Sequence, residues 1–66
     1  MRVTINGEQH TTAGGLSLAA AVARLTSATA GVAAAVNGEV VRRADWQATL
    51  LDDGDQVEVL TAVQGG

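Results

Sequence analysis

Met1, Val3 and Ile5 alternate with Arg2, Thr4 and Asn6, the period-two pattern of a strand buried on one face. Asn6-Gly7 follows and predicts a type I′ turn, in which both central residues need positive φ. Glu8 to Thr12 reads as the returning strand, short and polar throughout, and Gly14-Gly15 breaks it. Ser17 stands where a helix needs an N-cap, its hydroxyl able to accept an otherwise unpaired helical N–H. Ala20 occupies the position where a capping box would place Glu or Gln, so that box is incomplete. Leu18, Val22 and Leu25 fall at i, i+4 and i+7 and predict one apolar stripe over about two turns. The alanines between them keep helix propensity high. The helix is expected to fray near Thr26–Thr29, with Gly31 marking the exit.

Val32 to Val36 is a second inner strand, with Val32, Ala34 and Val36 on one face. Asn37-Gly38 repeats the hairpin signal and leads into Glu39–Val41. Arg42 to Thr49 lacks a strand period and predicts a short turn of helix around Trp46. Asp53-Gly54-Asp55 is a tight turn, after which Val57, Val59 and Thr61 alternate with Glu58, Leu60 and Ala62 as the last strand. The order is hairpin, helix, hairpin, short turn, strand. A helix laid across one face of a mixed sheet buries one helical stripe and several half-apolar strands at once. The fold class is therefore α+β, in two layers.

Composition narrows what such a domain can do. The chain has 66 residues, 47% of them hydrophobic, but 13 are alanines that bury little area each. A chain this short forms a marginal core and cannot also wall off a deep catalytic cavity. No cysteine is present and only one histidine, which excludes a disulfide framework, a Cys nucleophile and a multi-His zinc site. A self-contained enzyme is not expected. Four arginines and no lysine stand against seven acidic residues, a net charge of −3. Nucleic-acid binding needs a basic stripe, so this balance argues against it and for a partner with a basic face. The opening residues lack the apolar run of a secretory signal. The apolar-looking stretch from Leu16 to Val36 contains Arg24, which is costly at a membrane centre. A cytoplasmic protein that binds no membrane is expected.

Most candidate chemistry reduces to local structure. His10 lies in a polar strand and reads as an exposed or locally bonded side chain. Asp52, Asp53 and Asp55 cluster, but the loop is too short for an EF-hand and lacks its closing Glu. Turn chemistry around Gly54 explains them. Gly14-Gly15 lacks the spacing and the Lys of a P-loop. Ser17 has no positioned base, so a cap is the better reading than a nucleophile. Trp46, the sole aromatic residue, is expected to fill the core.

Gly65-Gly66 differs. At about 7% glycine usage, two terminal glycines arise by chance in roughly 0.5% of chains. A glycine carboxylate has no side chain beside it, so an extended tail can thread a narrow channel and present its carbonyl unhindered. Leu60 and Ala62, outward on the last strand, and Val63 beyond them are the candidate contacts for a partner that receives this tail.

Val36-Asn37-Gly38-Glu39-Val40-Val41, Arg43, Trp46, Leu51-x-Asp53-Gly54-Asp55-x-Val57-Glu58 and Val63-x-Gly65-Gly66 together resemble the ThiS family, the sulfur carrier proteins of thiamine biosynthesis. The likeness spans essentially the whole chain. It departs at Arg42, where the family often has Pro, and in the alanine richness of the helix. The resemblance implies a β-grasp, or ubiquitin-like, fold, with residues 1–62 as one domain and 63–66 as a flexible C-terminal tail. It also implies a protein substrate with no bound cofactor. An E1-like adenylyltransferase would use ATP to adenylate the Gly66 carboxylate, a sulfur donor system would convert it to a thiocarboxylate, and thiazole synthase would take the sulfur. Gly66 is then the modified residue and Gly65 its slender neighbour. Two other readings stay open beside it. One is a related carrier, such as the small subunit of molybdopterin synthase or a carrier for cysteine synthesis. The other is a ubiquitin-like modifier or interaction module.

Overall fold

A computed structural model describes residues 1–27 and 30–61. Five strands and one α-helix follow one another as β1 (Arg2–Ile5), β2 (Glu8–Thr11), α1 (Leu18–Leu25), β3 (Val32–Val36), β4 (Glu39–Val41) and β5 (Gln56–Thr61). A single 3₁₀ turn, Arg43–Asp45, separates β4 from β5. The strands form one sheet in the order β2-β1-β5-β3-β4. Both hairpins are antiparallel, while β5 enters between them, parallel to β1 and antiparallel to β3. This is the mixed sheet of the β-grasp arrangement, with the helix on one face.

The hairpin turns form as their sequence predicts. Asn6 and Gly7 have φ of 50° and 81°, and Asn37 and Gly38 have 52° and 83°, both pairs in the left-handed region that a type I′ turn requires. The two asparagines also do something the turn signal does not reveal. The Asn6 side chain donates through Nδ2 to Val59 O at 3.1 Å and accepts from Val59 N–H through Oδ1 at 2.8 Å. It thus continues the β1 ladder along β5 after β1 itself has turned away. Asn37 accepts from Gln56 N–H at 3.0 Å and donates to Asp55 Oδ1 at 3.0 Å, fixing the start of the same strand. Each turn asparagine holds one end of β5. Asn6→Gly keeps the positive φ and removes only the clamp. It is expected to cost about 1–2 kcal/mol in urea unfolding, the scale of two partly buried hydrogen bonds less what water recovers. A loss below about 0.3 kcal/mol would mean the clamp is incidental.

The core lies between the sheet and α1. Val3, Ile5, Ala34, Val57 and Val59 from the sheet meet Leu18, Ala21 and Val22 from the helix, with Trp46 and Leu51 closing the side. The Ser17 cap forms, its Oγ accepting from Ala20 N–H at 3.1 Å. The helical stripe is shorter than predicted. Leu25 is exposed, and Ala21 is fully buried in its stead. Leu25 is the last residue of α1, the chain turning extended at Thr26, so no further turn of the helix stands beside it. Ala23 and Ala44 are too small to close the space between the end of α1 and the 3₁₀ turn, and a cleft of about 320 Å³ remains open beside Val22 and Trp46. The last turn of the helix is left uncovered.

At the end of β5, Val57 and Val59 are buried, but Thr61, predicted on the same inner face, is exposed. The β1 ladder pairs only to Ile5–Val57 and is prolonged by Asn6 only as far as Val59, so Thr61 has β3 alone beside it. Ala62, Val63, Gly65 and Gly66 lie outside the described residues, as does the tail expected over 63–66 and part of the Thr26–Thr29 segment expected to fray. No described helix is long and apolar enough to cross a membrane.

Candidate functional site

The site is organised around the exit of β5. With Val57 and Val59 committed to the core, alternation sends Glu58 and Leu60 to the face away from α1. Leu60 is 71% exposed there. The sheet register sets its neighbours, since Leu60 pairs with Ala33 and Glu58 with Ala35 across to β3, and Ala35 pairs with Val40 on β4. Val40 is 76% exposed. Two large apolar side chains therefore stand on either side of a floor of alanines, forming a shallow groove of about 260 Å³ with Glu58 and Gly38 at its border. Of the predicted partner contacts, the structure places Leu60 in this groove. Val40, Ala33 and Ala35 were not foreseen. Their signal was present in the alternation of Val32–Val36 and Glu39–Val41, but which residues share a face across strands depends on register, which the sequence does not state.

The remaining candidates resolve into structural roles. Asp53 Oδ1 accepts from Arg2 N–H at 2.6 Å, and Asp55 Oδ2 accepts from Asp52 N–H at 2.7 Å. Gly54 has φ of 88°, so the three acidic residues build the turn into β5, as expected. Trp46 is buried, and its Nε1–H donates to Val41 O at 2.9 Å. Its backbone oxygen accepts from Ala19 N–H at 3.2 Å at the start of α1. The Arg43 guanidinium lies 5.5 Å from the ring centroid. His10 is half-buried, not exposed, because the β1–β2 register sets it opposite the buried Val3 on the core face. The Glu8 carboxylate lies 3.6 Å from its Nε2, a distance too long for a hydrogen bond. Arg42 departs from the familial Pro without backbone consequence, since its φ of −64° and ψ of 145° are those a proline would adopt.

Known proteins match this chain, and the sheet it forms, over its full length. The model of the ThiS family matches residues 3–66. The chain belongs to the ThiS family. It is 29% identical over 66 residues to the sulfur carrier protein ThiS of Escherichia coli, covering all of both chains. The crystal structure of the thiamine biosynthesis protein ThiS from Geobacter metallireducens superposes with a TM-score of 0.79 at 38% identity, each chain fully covered. The solution structure of a thiamine biosynthesis protein from the same organism gives 0.78 at 38% identity, over all of this chain and 88% of that one. The α+β fold class inferred from the sequence pattern agrees with these relatives, and the ThiS likeness read from the motifs holds.

Proposed function

We propose that this chain is a sulfur carrier for the thiazole ring of thiamine, acting in the cytoplasm as a protein substrate and not as a catalyst. The observation that carries the reading is that the family match runs through both terminal glycines, to residue 66. A Gly66 carboxylate oxygen attacks the α-phosphorus of ATP on an E1-like adenylyltransferase, and pyrophosphate leaves. Sulfide-level sulfur from a donor system, as hydrosulfide, then attacks the acyl carbon, AMP departs, the proton passes to solvent, and the thiocarboxylate passes to thiazole synthase. Gly65 leaves the approach to the acyl carbon unhindered. The chain itself binds no cofactor in this scheme. The test is intact mass after incubation with ATP, a sulfur source and the activating enzyme. Exchange of oxygen for sulfur adds about 16 Da, nearly what oxidation of Met1 adds, so the shift has to be located on the C-terminal peptide. A shift found only at Met1 rejects the reading.

Leu60, with Ala62 and Val63 beyond it, is proposed as the docking contact that brings the tail to the enzyme. Leu60→Asp places a charge in an apolar groove that a partner must desolvate. The dissociation constant for the activating enzyme is expected to rise by about tenfold or more. Stability should change by no more than about 0.5 kcal/mol, because the side chain is exposed. Titration calorimetry together with thermal melting separates the two effects. Unchanged affinity, or a collapsed fold, removes Leu60 from the site.

A further inference from the structure

On the face of the sheet away from α1, one carboxylate borders the apolar groove. Glu58 stands between Val57 and Val59 on β5, both buried, so its side chain points outward and is exposed. Glu8 and Glu39 belong to the other face, opposite Ile5 and Val36 in the register. Glu58 shares a row with Ala35 and Val40, two strand spacings or about 10 Å from Val40, and lies two residues, about 7 Å, before Leu60. Among the described residues no ion pair or hydrogen bond engages its carboxylate. The cations on β1 and after β4 are placed elsewhere. Arg2 points to the same face but is level with Gly54, whose N–H its carbonyl receives, and so lies four strand steps behind Glu58, about 13 Å. Arg42 Nε lies 3.5 Å from Asp45 Oδ2.

Leu60 and Val40, the apolar walls of the groove, are both largely exposed, and a partner surface gains free energy by covering them. A surface that seats on both also lies beside the Glu58 carboxylate and strips water from it. A carboxylate that loses water without gaining a counter-charge opposes binding strongly. Neither Arg2 nor Arg42 is placed to supply that charge, so it comes from the partner. We propose that Glu58 is a specificity-determining residue that pairs with an arginine of the activating enzyme when the groove is covered. Arginine suits the position better than lysine. Its planar fork meets a carboxylate with two parallel hydrogen bonds, and it is less strongly hydrated than an ammonium, so it enters a drying interface more readily. The net charge of −3 favours the same basic partner face. A surface that matches the apolar walls but lacks the arginine is refused by the unpaired carboxylate, which is the repulsive half of recognition. The proposal rests on the carrier reading, because that reading supplies an enzyme that has to cover the groove.

The experiment follows binding of the full chain to the immobilised activating enzyme by surface plasmon resonance, at about 0.05 M and about 0.5 M salt. E58Q keeps the size of the side chain without its charge. It is expected to dissociate about tenfold faster or more at both salt concentrations, because a desolvated pair is little screened. E58R sets like charges against each other and is expected to raise the dissociation constant about a hundredfold or more. Replacing the enzyme's surface arginines by glutamate, one at a time, is expected to yield one variant that restores E58R binding. Thermal melting checks that both chain variants fold, as the exposure of Glu58 leads one to expect. A loss confined to the association rate and removed by salt is the mark of a distant steering charge, and it overturns the pairing. So does an E58Q chain that dissociates like wild type, or an E58R chain that no enzyme variant rescues. The intact-mass test of the tail is run on wild type in parallel. Wild type that gains no sulfur on its C-terminal peptide ends the carrier reading and takes this proposal with it. Wild type that gains the sulfur, beside an E58Q chain that dissociates no faster, ends the proposal alone.

Discussion

Appending one residue after Gly66 is expected to abolish ATP–pyrophosphate exchange by the activating enzyme. The added residue converts the Gly66 carbonyl into an amide, which lacks the oxygen nucleophile that attacks the α-phosphorus. It also moves the free carboxylate one residue, roughly 3.5 Å, past the position that docking defines. Near-attack geometry requires reacting atoms about 3–3.5 Å apart, so a displacement of that size cannot be absorbed while Leu60 stays seated in its proposed contact. Folding stability should change by less than about 0.5 kcal/mol, because Gly65 and Gly66 carry no side chains to pack. Gly66→Ala keeps the carboxylate but sets a methyl beside the reacting carboxylate. Exchange should be slowed in that variant, with binding retained. Exchange from the extended chain equal to wild type would show that the terminus is not the reacting group, and the carrier reading would have to be abandoned.

Much of the fold was legible because its signals are local. Alternation in Met1–Ile5 and Val32–Val36, two Asn-Gly pairs and the Ser17 cap each act within a few residues, and each forms as read. What the sequence hid is non-local. Asn6 and Asn37 announce turns, yet their side chains also clamp a strand about 50 and 20 positions away, at Val59 and Gln56. The stripe through Leu25 failed because periodicity assigns a face but not what covers it. Leu25 is the last residue of the helix, which ends at an extended Thr26. The apolar groove shows the same division. Leu60 is outward by alternation alone, whereas Val40 and Ala33 join it only through register.

Trp46→Ala is expected to leave the chain largely unfolded at room temperature. Truncating a buried tryptophan costs about 3–5 kcal/mol through lost transfer energy and an unfilled cavity. A single small core supplies only about 3–5 kcal/mol in total. In this chain there is little to refill the space, because Ala19, Ala23 and Ala44, which line the cleft with Trp46, carry only methyl groups. The residue also ties three segments together. Its Nε1–H fixes the end of β4 through Val41 O, its backbone oxygen receives Ala19 N–H from α1, and its ring carries the Arg43 guanidinium. Trp46→Phe separates these contributions. It retains much of the ring and the backbone bond but strands the Val41 carbonyl, and should cost about 1–2 kcal/mol. Urea unfolding followed by far-ultraviolet circular dichroism measures both without using the tryptophan as a probe. The consequence for function follows from position, since Val41 adjoins Val40 on the rim of the groove. Trp46→Phe should therefore weaken enzyme binding by a few-fold while the fold persists, whereas a stably folded Trp46→Ala would show that the alanine-rich helix packs without its aromatic support.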